Sequence, residues 1–298
     1  MLNDDDIRKR VELYPEPPEV AEIRRNIQES FKRLEFQEGP HKYYVHEDDG
    51  TVDELPSVSA TIEKWEQYVD WDAKKEKKAL ELGMTVEEVS RMWREKNIIS
   101  TSNGTLIHAL GEAYMYFFQG KPDMMPDVIK KMQYEDGWLI PYGPKQFAAM
   151  QYYVDMYDMF MDDSKPNKLW PVMPESQVYI FKDNQFGITK RYAGTFDILH
   201  AYKAKDGKWK LAIHDWKSNA SLTKDFARVK KIYMEPPFDD LIDEPLSHYF
   251  CQLSAYSCAL QQLGYEVGDR RIIWLKDDGT YEKIPAPDFS DRIKMALK

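Results

Sequence analysis

Two short segments carry side chains whose types and spacing suit phosphodiester chemistry. One is Gly194-Thr-Phe-Asp197, and the other is Asp215-Trp-Lys217. In an extended strand, side chains two residues apart lie on the same face, so Asp215 and Lys217 should emerge together. A hairpin joining the two segments would bring Asp197 beside Asp215. Two carboxylates and a lysine would then form a site for Mg²⁺ or Mn²⁺, which prefer oxygen ligands.

A site of this kind would promote hydrolysis of a phosphodiester. The metal would polarise a phosphoryl oxygen and lower the pKa of a bound water. Lys217 would position that water or stabilise the charge that develops in the transition state. The alternative is a surface salt bridge, because Asp-x-Lys is a common tripeptide and exposed ion pairs are abundant. The apolar residues around Asp197 and Asp215 favour strands that enter a core, where a carboxylate needs a partner.

Other polar residues could complete this site. His108 follows Gly104 at the start of a predicted helix, and its imidazole could be a metal ligand beside the aspartates. Gln252 and Tyr256 are four residues apart, hence on one helical face, where they could contact a phosphate or order the lysine. Glu175 precedes the first predicted strand and is a candidate for this site or for a second metal. The alternatives are a core or surface histidine for His108 and a helix-packing pair for Gln252 and Tyr256.

In chain order these motifs resemble the motif series of the PD-(D/E)XK nuclease superfamily. The closest similarity is to its RecB-like branch, which includes phage exonucleases, Cas4-type nucleases and the mitochondrial genome maintenance exonuclease. The motifs are G-x-x-x-H at 104–108, G-x-x-D at 194–197, D-x-K at 215–217 and Q-x-x-x-Y at 252–256. The resemblance covers residues 100–276. It implies a restriction-endonuclease-like core, with a central mixed β-sheet flanked by helices.

The resemblance also implies a role for individual residues. It assigns metal ligation to His108, Asp197, Asp215 and the backbone carbonyl of Trp216, and it makes Lys217 the catalytic lysine. It gives further positions a supporting or DNA-contacting role: Gln252, Tyr256, Glu175, Ser57, Ser59, Gly104 and Thr105. One departure is Phe196, which stands where the family usually has a proline, a substitution that the RecB-like branch tolerates.

The cysteines limit the cofactor and the cellular compartment. Cys251 and Cys258 are too few for the four-cysteine iron–sulfur cluster of some related nucleases, so the resemblance implies one or two Mg²⁺ or Mn²⁺ ions and no iron–sulfur cluster. Their spacing along a predicted helix is too wide for a disulfide. No apolar run approaches the ~18–20 residues of a membrane span. We therefore predict a cytoplasmic protein, in a bacterial cell or a phage-infected host, that does not bind membranes.

The charge balance argues against a generic nucleic-acid coat protein. The 298 residues include 41 Lys and Arg against 51 Asp and Glu, a net charge of −10. Residues 202–233, however, hold nine basic and three acidic side chains, a local charge of +6 that leaves −16 for the remainder. A basic strip beside the predicted site would bind the phosphates of DNA. The alternative is a solvated edge of the fold.

The order of predicted elements indicates an α/β or α+β fold around a mixed sheet. Residues 1–100 would form a helical and hairpin elaboration that guides DNA, and residues 101–298 the nuclease core. Four aromatic residues of the elaboration could stack on unpaired bases, although a place in the core is favoured: Trp65, Tyr68, Trp71 and Trp93. The predicted elements are two strands within 41–58, helices from Thr105 to Phe118 and over 144–163, three strands within 176–217, a helix over 246–265 and a strand over 270–276.

These features together predict a metal-dependent DNA exonuclease. It would act on single strands or duplex ends during phage-type or cellular recombination, replication or repair. A single-strand-binding or recombination protein could be its partner, and an oligomer is compatible with the sequence. The alternatives are an endonuclease of the same fold and, from another class, a non-catalytic DNA-binding or assembly protein.

Overall fold

The computed structural model describes residues 4–121, 124, 143–165 and 168–298. The amino-terminal part combines helices with a small antiparallel sheet. Its helices are α1 (Asp4–Leu13), α2 (Pro18–Phe31), α3 (Val58–Ile62), α4 (Trp71–Leu82) and α5 (Val86–Phe118), and its strands are β1 (Leu34–Gln37), β2 (Lys42–His46) and β3 (Val52–Leu55). The two strands predicted within 41–58 are confirmed as β2 and β3.

A mixed five-stranded sheet forms the centre of the carboxyl-terminal part. Its strands, in spatial order, are β4 (Trp170–Tyr179), β5 (Ala193–Lys203), β6 (Trp209–Lys217), β7 (Val267–Leu275) and β8 (Tyr281–Pro285). The helices around it are α6 (Pro144–Met161), α7 (Asp225–Lys230), α8 (Pro245–Gln261) and α9 (Ser290–Ala296). Neighbouring strands are antiparallel except β6 and β7, which are parallel and therefore need the crossover that contains α8. The predicted mixed α+β architecture is confirmed.

The two central strands are buried because helices cover both faces of the sheet. One face packs against α5 and α6 through Ile198, Trp216 and Ile273. The other face packs against α8, with Leu199 and Ile213 in the larger core. The hairpin between β5 and β6 turns at residues 205–207, and its antiparallel register places Ile198 opposite His214.

Helix α5 is longer than the sequence pattern suggests. The prediction of a helix that begins near Thr105 is wrong, because α5 runs without interruption from Val86 to Phe118. A capping box starts it: the Thr85 hydroxyl accepts a hydrogen bond from the Glu88 N–H (3.2 Å), and the Glu88 carboxylate accepts one from the Thr85 N–H (2.8 Å). Gly104 lies inside the helix and does not end it.

Strand β4 begins six residues before the predicted start at Ser176. Pro171 and Pro174 hide this extension, since proline cannot donate a ladder hydrogen bond. They are tolerated because β4 is an edge strand of the sheet. Glu175 therefore lies within β4 and not ahead of it. Strand β8, which follows the turn at Asp278, is a further element that the sequence pattern does not predict.

The small sheet is fixed to the start of β5. Ser57 forms a parallel bridge with Ala193, whose N–H donates to the Pro56 carbonyl at 3.0 Å. Ser57 also caps α3 by accepting a hydrogen bond from the Ala60 N–H at 3.0 Å. These bonds hold the β1–β2 hairpin beside the end of the central sheet where Asp197 lies.

The predicted core position of the amino-terminal aromatic residues holds only in part. Trp65 is buried, whereas Tyr68 is 91% and Trp71 59% exposed. Cys251 and Cys258 are both buried and free. Among the described residues, no helix combines the length and apolar composition that a membrane span requires.

Candidate functional site

Three carboxylates lie in a row across neighbouring strands of the central sheet. Glu175 is in β4, Asp197 in β5 and Asp215 in β6. Continuing the strand registers places Asp197 opposite both Glu175 and Asp215. The antiparallel hairpin thus brings together the two aspartates as the sequence predicts, and the extended β4 adds the glutamate.

Asp197 marks the point where the ladder between β5 and β6 ends. The last paired residues are Ile198 and His214, and beyond them the Asp197 carboxylate accepts a hydrogen bond from the Trp216 N–H at 2.6 Å. The carboxylate replaces a backbone acceptor at this position, which fixes its orientation. Asp197 is 5% exposed. The Trp216 side chain lies on the opposite face of the sheet, and its carbonyl as a metal ligand stays a prediction.

His108 connects α5 to the carboxylate row. Its Nδ1 lies 3.0 Å from Glu175 Oε1 and 3.3 Å from Asp197 Oδ1. Glu175 adopts a φ of 40°, in the left-handed region that is rarely occupied by residues other than glycine. Strained backbone of this kind is concentrated at functional sites, where the surrounding structure holds it in place.

Lys217 and Asp215 form a buried ion pair. Lys217 Nζ lies 2.5 Å from Asp215 Oδ2, and its charge also lies over the Tyr249 ring, 4.4 Å from the ring centre. Asp215 is 1% exposed. The lysine therefore compensates the charge of a carboxylate that is closed to solvent.

Burial and mutual repulsion perturb the carboxylates. Burial raises the pKa of Glu175 to about 7, and burial with the Asp197 charge raises the pKa of Asp215 to about 6. Burial opposes ionisation of Asp197 as well, but His108 and Lys217 hold its pKa below the ordinary value. Burial likewise opposes protonation of His108, yet the Asp197 and Glu175 charges raise its pKa well above the usual range. Negative charge is therefore in excess at this point.

The donor set suits a hard divalent cation. His108, Glu175 and Asp197 offer ligand atoms that lie within 4.8 Å of one another, and Asp215 adds a buried carboxylate next to them. Oxygen donors with one imidazole fit Mg²⁺ or Mn²⁺. The imidazolium of His108 occupies the space between two carboxylates, and a cation bound there would displace its proton.

A second group of this composition lies near the first. His248 Nε2 is 2.6 Å from Asp243 Oδ1, and its Nδ1 is 3.1 Å from Glu66 Oε1. The ligand atoms of these three residues are also close enough to hold a metal ion. Both nitrogens of the imidazole lie against carboxylates, and these contacts tie α8 to the segment after α3.

A cavity of about 830 Å³ opens onto the carboxylates. Eleven sequence-predicted site residues line it: Ser57, Ser59, Gly104, Thr105, His108, Glu175, Asp197, Asp215, Lys217, Gln252 and Tyr256. Gln252 donates to the Tyr256 hydroxyl at 2.9 Å, so the two form one polar unit on α8. A side chain at Gly194 would clash with Tyr256 and Val58, which explains glycine there.

Several residues that line the cavity are not predicted from the sequence. They are Phe36, Glu38, His41, Tyr43, Thr101, Glu112 and Thr195. The hairpin that carries the first four contains no charged motif, and only its alternation of aromatic residues could have indicated it. Tyr249 is also absent from the predicted set, although its position three residues before Gln252 places it on the same helical face.

The basic strip over residues 202–233 is divided by the fold. The register pairs Lys203 with Trp209, so the β5–β6 turn lies at the opposite end of β6 from Lys217. Lys210, near that turn, forms an ion pair with Glu266. The prediction of one continuous strip beside the site is therefore wrong. Only the part that follows Lys217, including α7, lies at the site end of the sheet.

Comparison with known proteins gives no assignment for this chain. No family model matches it, and no curated protein matches it significantly. Its function must therefore be inferred from the geometry of the site.

Proposed function

We propose that the protein is a divalent-cation-dependent deoxyribonuclease of the PD-(D/E)XK type, acting as an exonuclease on DNA ends or single strands. One observation carries this proposal. Glu175, Asp197 and Asp215 meet Lys217 and His108 at one end of a mixed sheet, on the floor of a cavity. A buried excess of carboxylate with one lysine suits metal-assisted phosphodiester hydrolysis.

Each residue would have a defined task. Glu175, Asp197, Asp215 and His108 would hold one or two Mg²⁺ or Mn²⁺ ions, which supply Lewis-acid activation of the phosphoryl group. Burial opposes protonation of Lys217, but Asp215 and Asp197 raise its pKa above the ordinary value, so the side chain stays charged. A charged lysine would stabilise negative charge that develops on the phosphate and would not act as a general base.

The polar unit on α8 would support this centre. The Tyr256 hydroxyl accepts from Gln252, which leaves its own proton free for a phosphate oxygen at the cavity wall. Ser57 and Ser59, at the start of α3, line the same cavity and would add hydroxyl contacts to the phosphate. The free, buried Cys251 and Cys258 suit work in a reducing cytoplasm.

The test uses end-labelled single-stranded and duplex DNA, labelled at either end, with and without Mg²⁺. We expect metal-dependent cleavage that Lys217→Ala slows by about 10²–10³-fold. Lys205→Ala is the matched control, since Lys205 lies in the turn at the far end of the sheet. Equal rates for Lys217→Ala and the parent would refute the site assignment.

Two further results would decide between related functions. A closed circular single strand should remain intact if the enzyme is an exonuclease, and its cleavage would favour an endonuclease of the same fold. A parent protein that cleaves neither DNA nor RNA in Mg²⁺ or Mn²⁺ would favour the non-catalytic DNA-binding function.

A further inference from the structure

The β1–β2 hairpin presents an aromatic cluster to the cavity. Phe36 and Tyr43 stack with ring centres 4.7 Å apart, and the His41 ring meets Phe36 edge to face at 5.0 Å. All three line the cavity together with the carboxylates. We name Phe36, His41 and Tyr43 the aromatic wall.

One residue of the aromatic wall, His41, has a strained backbone conformation. His41 ends the turn, where its N–H donates to the Glu38 carbonyl at 3.1 Å, with a φ of 53°. Glycine adopts that conformation without strain, so histidine is present at a conformational cost. In the described part of the chain, three residues other than glycine have positive φ, and two of them, His41 and Glu175, line this one cavity.

The aromatic wall is fixed at a short distance from the carboxylates. The Tyr43 hydroxyl lies 3.2 Å from the Thr195 hydroxyl, and Thr195 is two residues before Asp197 in β5. Two residues along a strand span about 7 Å. Tyr43 is 3% exposed and Phe36 is half-buried, whereas His41 is exposed. The wall is therefore rigid at its base and accessible at its rim.

A wall of this composition recognises flat, unpaired rings. In a duplex each base face is covered by its neighbours, but an unpaired base can stack on an aromatic side chain whatever its sequence. A cavity of about 830 Å³ also has the size of a small-ligand site. It suits a nucleotide-sized segment of one strand, not the width of a double helix.

We propose that the aromatic wall stacks an unpaired base and thereby selects single-stranded DNA for the adjacent carboxylates. This inference rests on the proposed nuclease function for its biological meaning. The stacking itself needs no bound metal, because the wall contains no metal ligand. Binding can therefore be measured apart from cleavage.

The test measures binding in EDTA by fluorescence anisotropy. The probes are a labelled oligothymidylate, an abasic strand of equal length and a blunt duplex. The parent should bind oligothymidylate more tightly than either other probe. Phe36→Ala should weaken oligothymidylate binding by roughly tenfold and leave abasic binding unchanged. Phe36→Leu retains apolar packing if the alanine variant fails to fold, and it should give the same selective loss.

Tyr44→Ala is the matched control, because Tyr44 is adjacent in β2 and its side chain points to the other face. It should bind all three probes as the parent does. An equal loss for oligothymidylate and abasic strand in the Phe36 variants, or no loss, would overturn the inference. So would a parent that binds the duplex as tightly as oligothymidylate.

Failure of the proposed function would look different. If the parent prefers oligothymidylate through Phe36 but cleaves no DNA in Mg²⁺, the aromatic wall is supported and the nuclease assignment is refuted. A parent that cleaves DNA with no dependence of binding on Phe36 would retain the nuclease assignment and lose the aromatic wall.

Discussion

The two faces of β6 carry buried polar groups of opposite character. Asp215 and Lys217 lie on the face that opens to the cavity, and both are ionised or held in ion pairs. His214 and Trp216 lie on the other face, sealed beneath α5 and α6. Burial lowers the pKa of His214, so that side chain is neutral. Residues that alternate along one strand thus occupy two different electrostatic environments.

The two faces also differ in how well their polar groups are compensated. On the sealed face, His214 Nδ1 has a partner in the Tyr152 hydroxyl at 2.6 Å, and aromatic rings surround the pair. On the cavity face, Glu175 and Asp215 are carboxylates with raised pKa values. Active sites keep such unfavourable charge because ligands compensate it. Changes on the cavity face should therefore alter activity, and changes on the sealed face should alter stability.

Glu175→Gln is the sharpest test of the cavity face. We expect the rate of Mg²⁺-dependent cleavage to fall about 10²-fold, since the substitution removes a carboxylate that we propose as a metal ligand. The melting temperature in EDTA at pH 7.5 should rise, because a neutral amide removes a half-buried charge next to Asp197. The rise should shrink as the pH falls below about 7, where the Glu175 carboxyl takes up a proton in the parent. A lower melting temperature at pH 7.5 would contradict the comparison.

Two glycines of α5 test the same contrast on one helix. A Cβ at Gly111 would lie 2.8 Å from Trp216 Nε1, so Gly111→Ala should lower the free energy of unfolding by about 1–3 kcal/mol. At Gly104, an added Cβ would meet no described atom of another part of the chain within 4 Å. Gly104→Ala should therefore raise the free energy of unfolding by about 1 kcal/mol. Urea denaturation measures both.

The cleavage rate of the Gly104→Ala variant completes this test. Gly104 lines the cavity, so a slower reaction in the stabilised Gly104→Ala variant would indicate that substrate approaches the helix backbone there. Destabilisation by Gly104→Ala would show that α5 does not pass through this position as an undistorted helix.

The sequence contained most of the site but not its surroundings. Asp197, Asp215 and Lys217 were predictable because strand alternation and a short hairpin turn determine their positions locally. The sequence does not place Glu175 in a strand, because Pro171 and Pro174 interrupt the strand pattern. They are tolerated because the strand lies at the edge of the sheet, which the local sequence does not reveal.

Tertiary context decides the elements that the sequence pattern does not predict. The continuous α5 depends on packing against the sheet and overrides the low helix propensity of Gly104. The aromatic wall is not predicted because β1 is short and half polar. Its residues line the cavity because the hydrogen bond between Pro56 and Ala193 holds the hairpin against the central sheet. Contacts of this long range leave no periodic signal in one sequence.

Two adjacent tyrosines of α6 test the sealed face. Both are buried, but the Tyr152 hydroxyl is hydrogen-bonded to His214, whereas that of Tyr153 finds no hydrogen-bond partner within the described ranges. Tyr152→Phe should lower the free energy of unfolding by about 1–3 kcal/mol, since it leaves a buried imidazole nitrogen unpaired. Tyr153→Phe is the matched control and should be neutral or slightly stabilising. Equal losses would mean that the hydrogen bond contributes nothing specific.

The pH dependence of stability provides the finest test of the sealed face. Burial, with the nearby His214, lowers the pKa of His200 well below its usual range. The unfolded chain therefore binds a proton more readily, so stability present above about pH 6.5 is lost as the pH falls, by at most about 1.4 kcal/mol per pH unit for each histidine.

His200→Leu should reduce that loss. His200 Nδ1 has no hydrogen-bond partner among the described residues, so the substitution should not destabilise the protein at pH 7.5. Glu175 and Asp215 respond to pH with the opposite sign, because their raised pKa values make the folded chain bind protons more readily. The informative quantity is therefore the difference between variant and parent in urea denaturation at pH 7.5 and 5.5. If the variant loses as much free energy of unfolding between pH 7.5 and 5.5 as the parent does, His200 is already protonated in the folded protein. The sealed face would then not exclude charge.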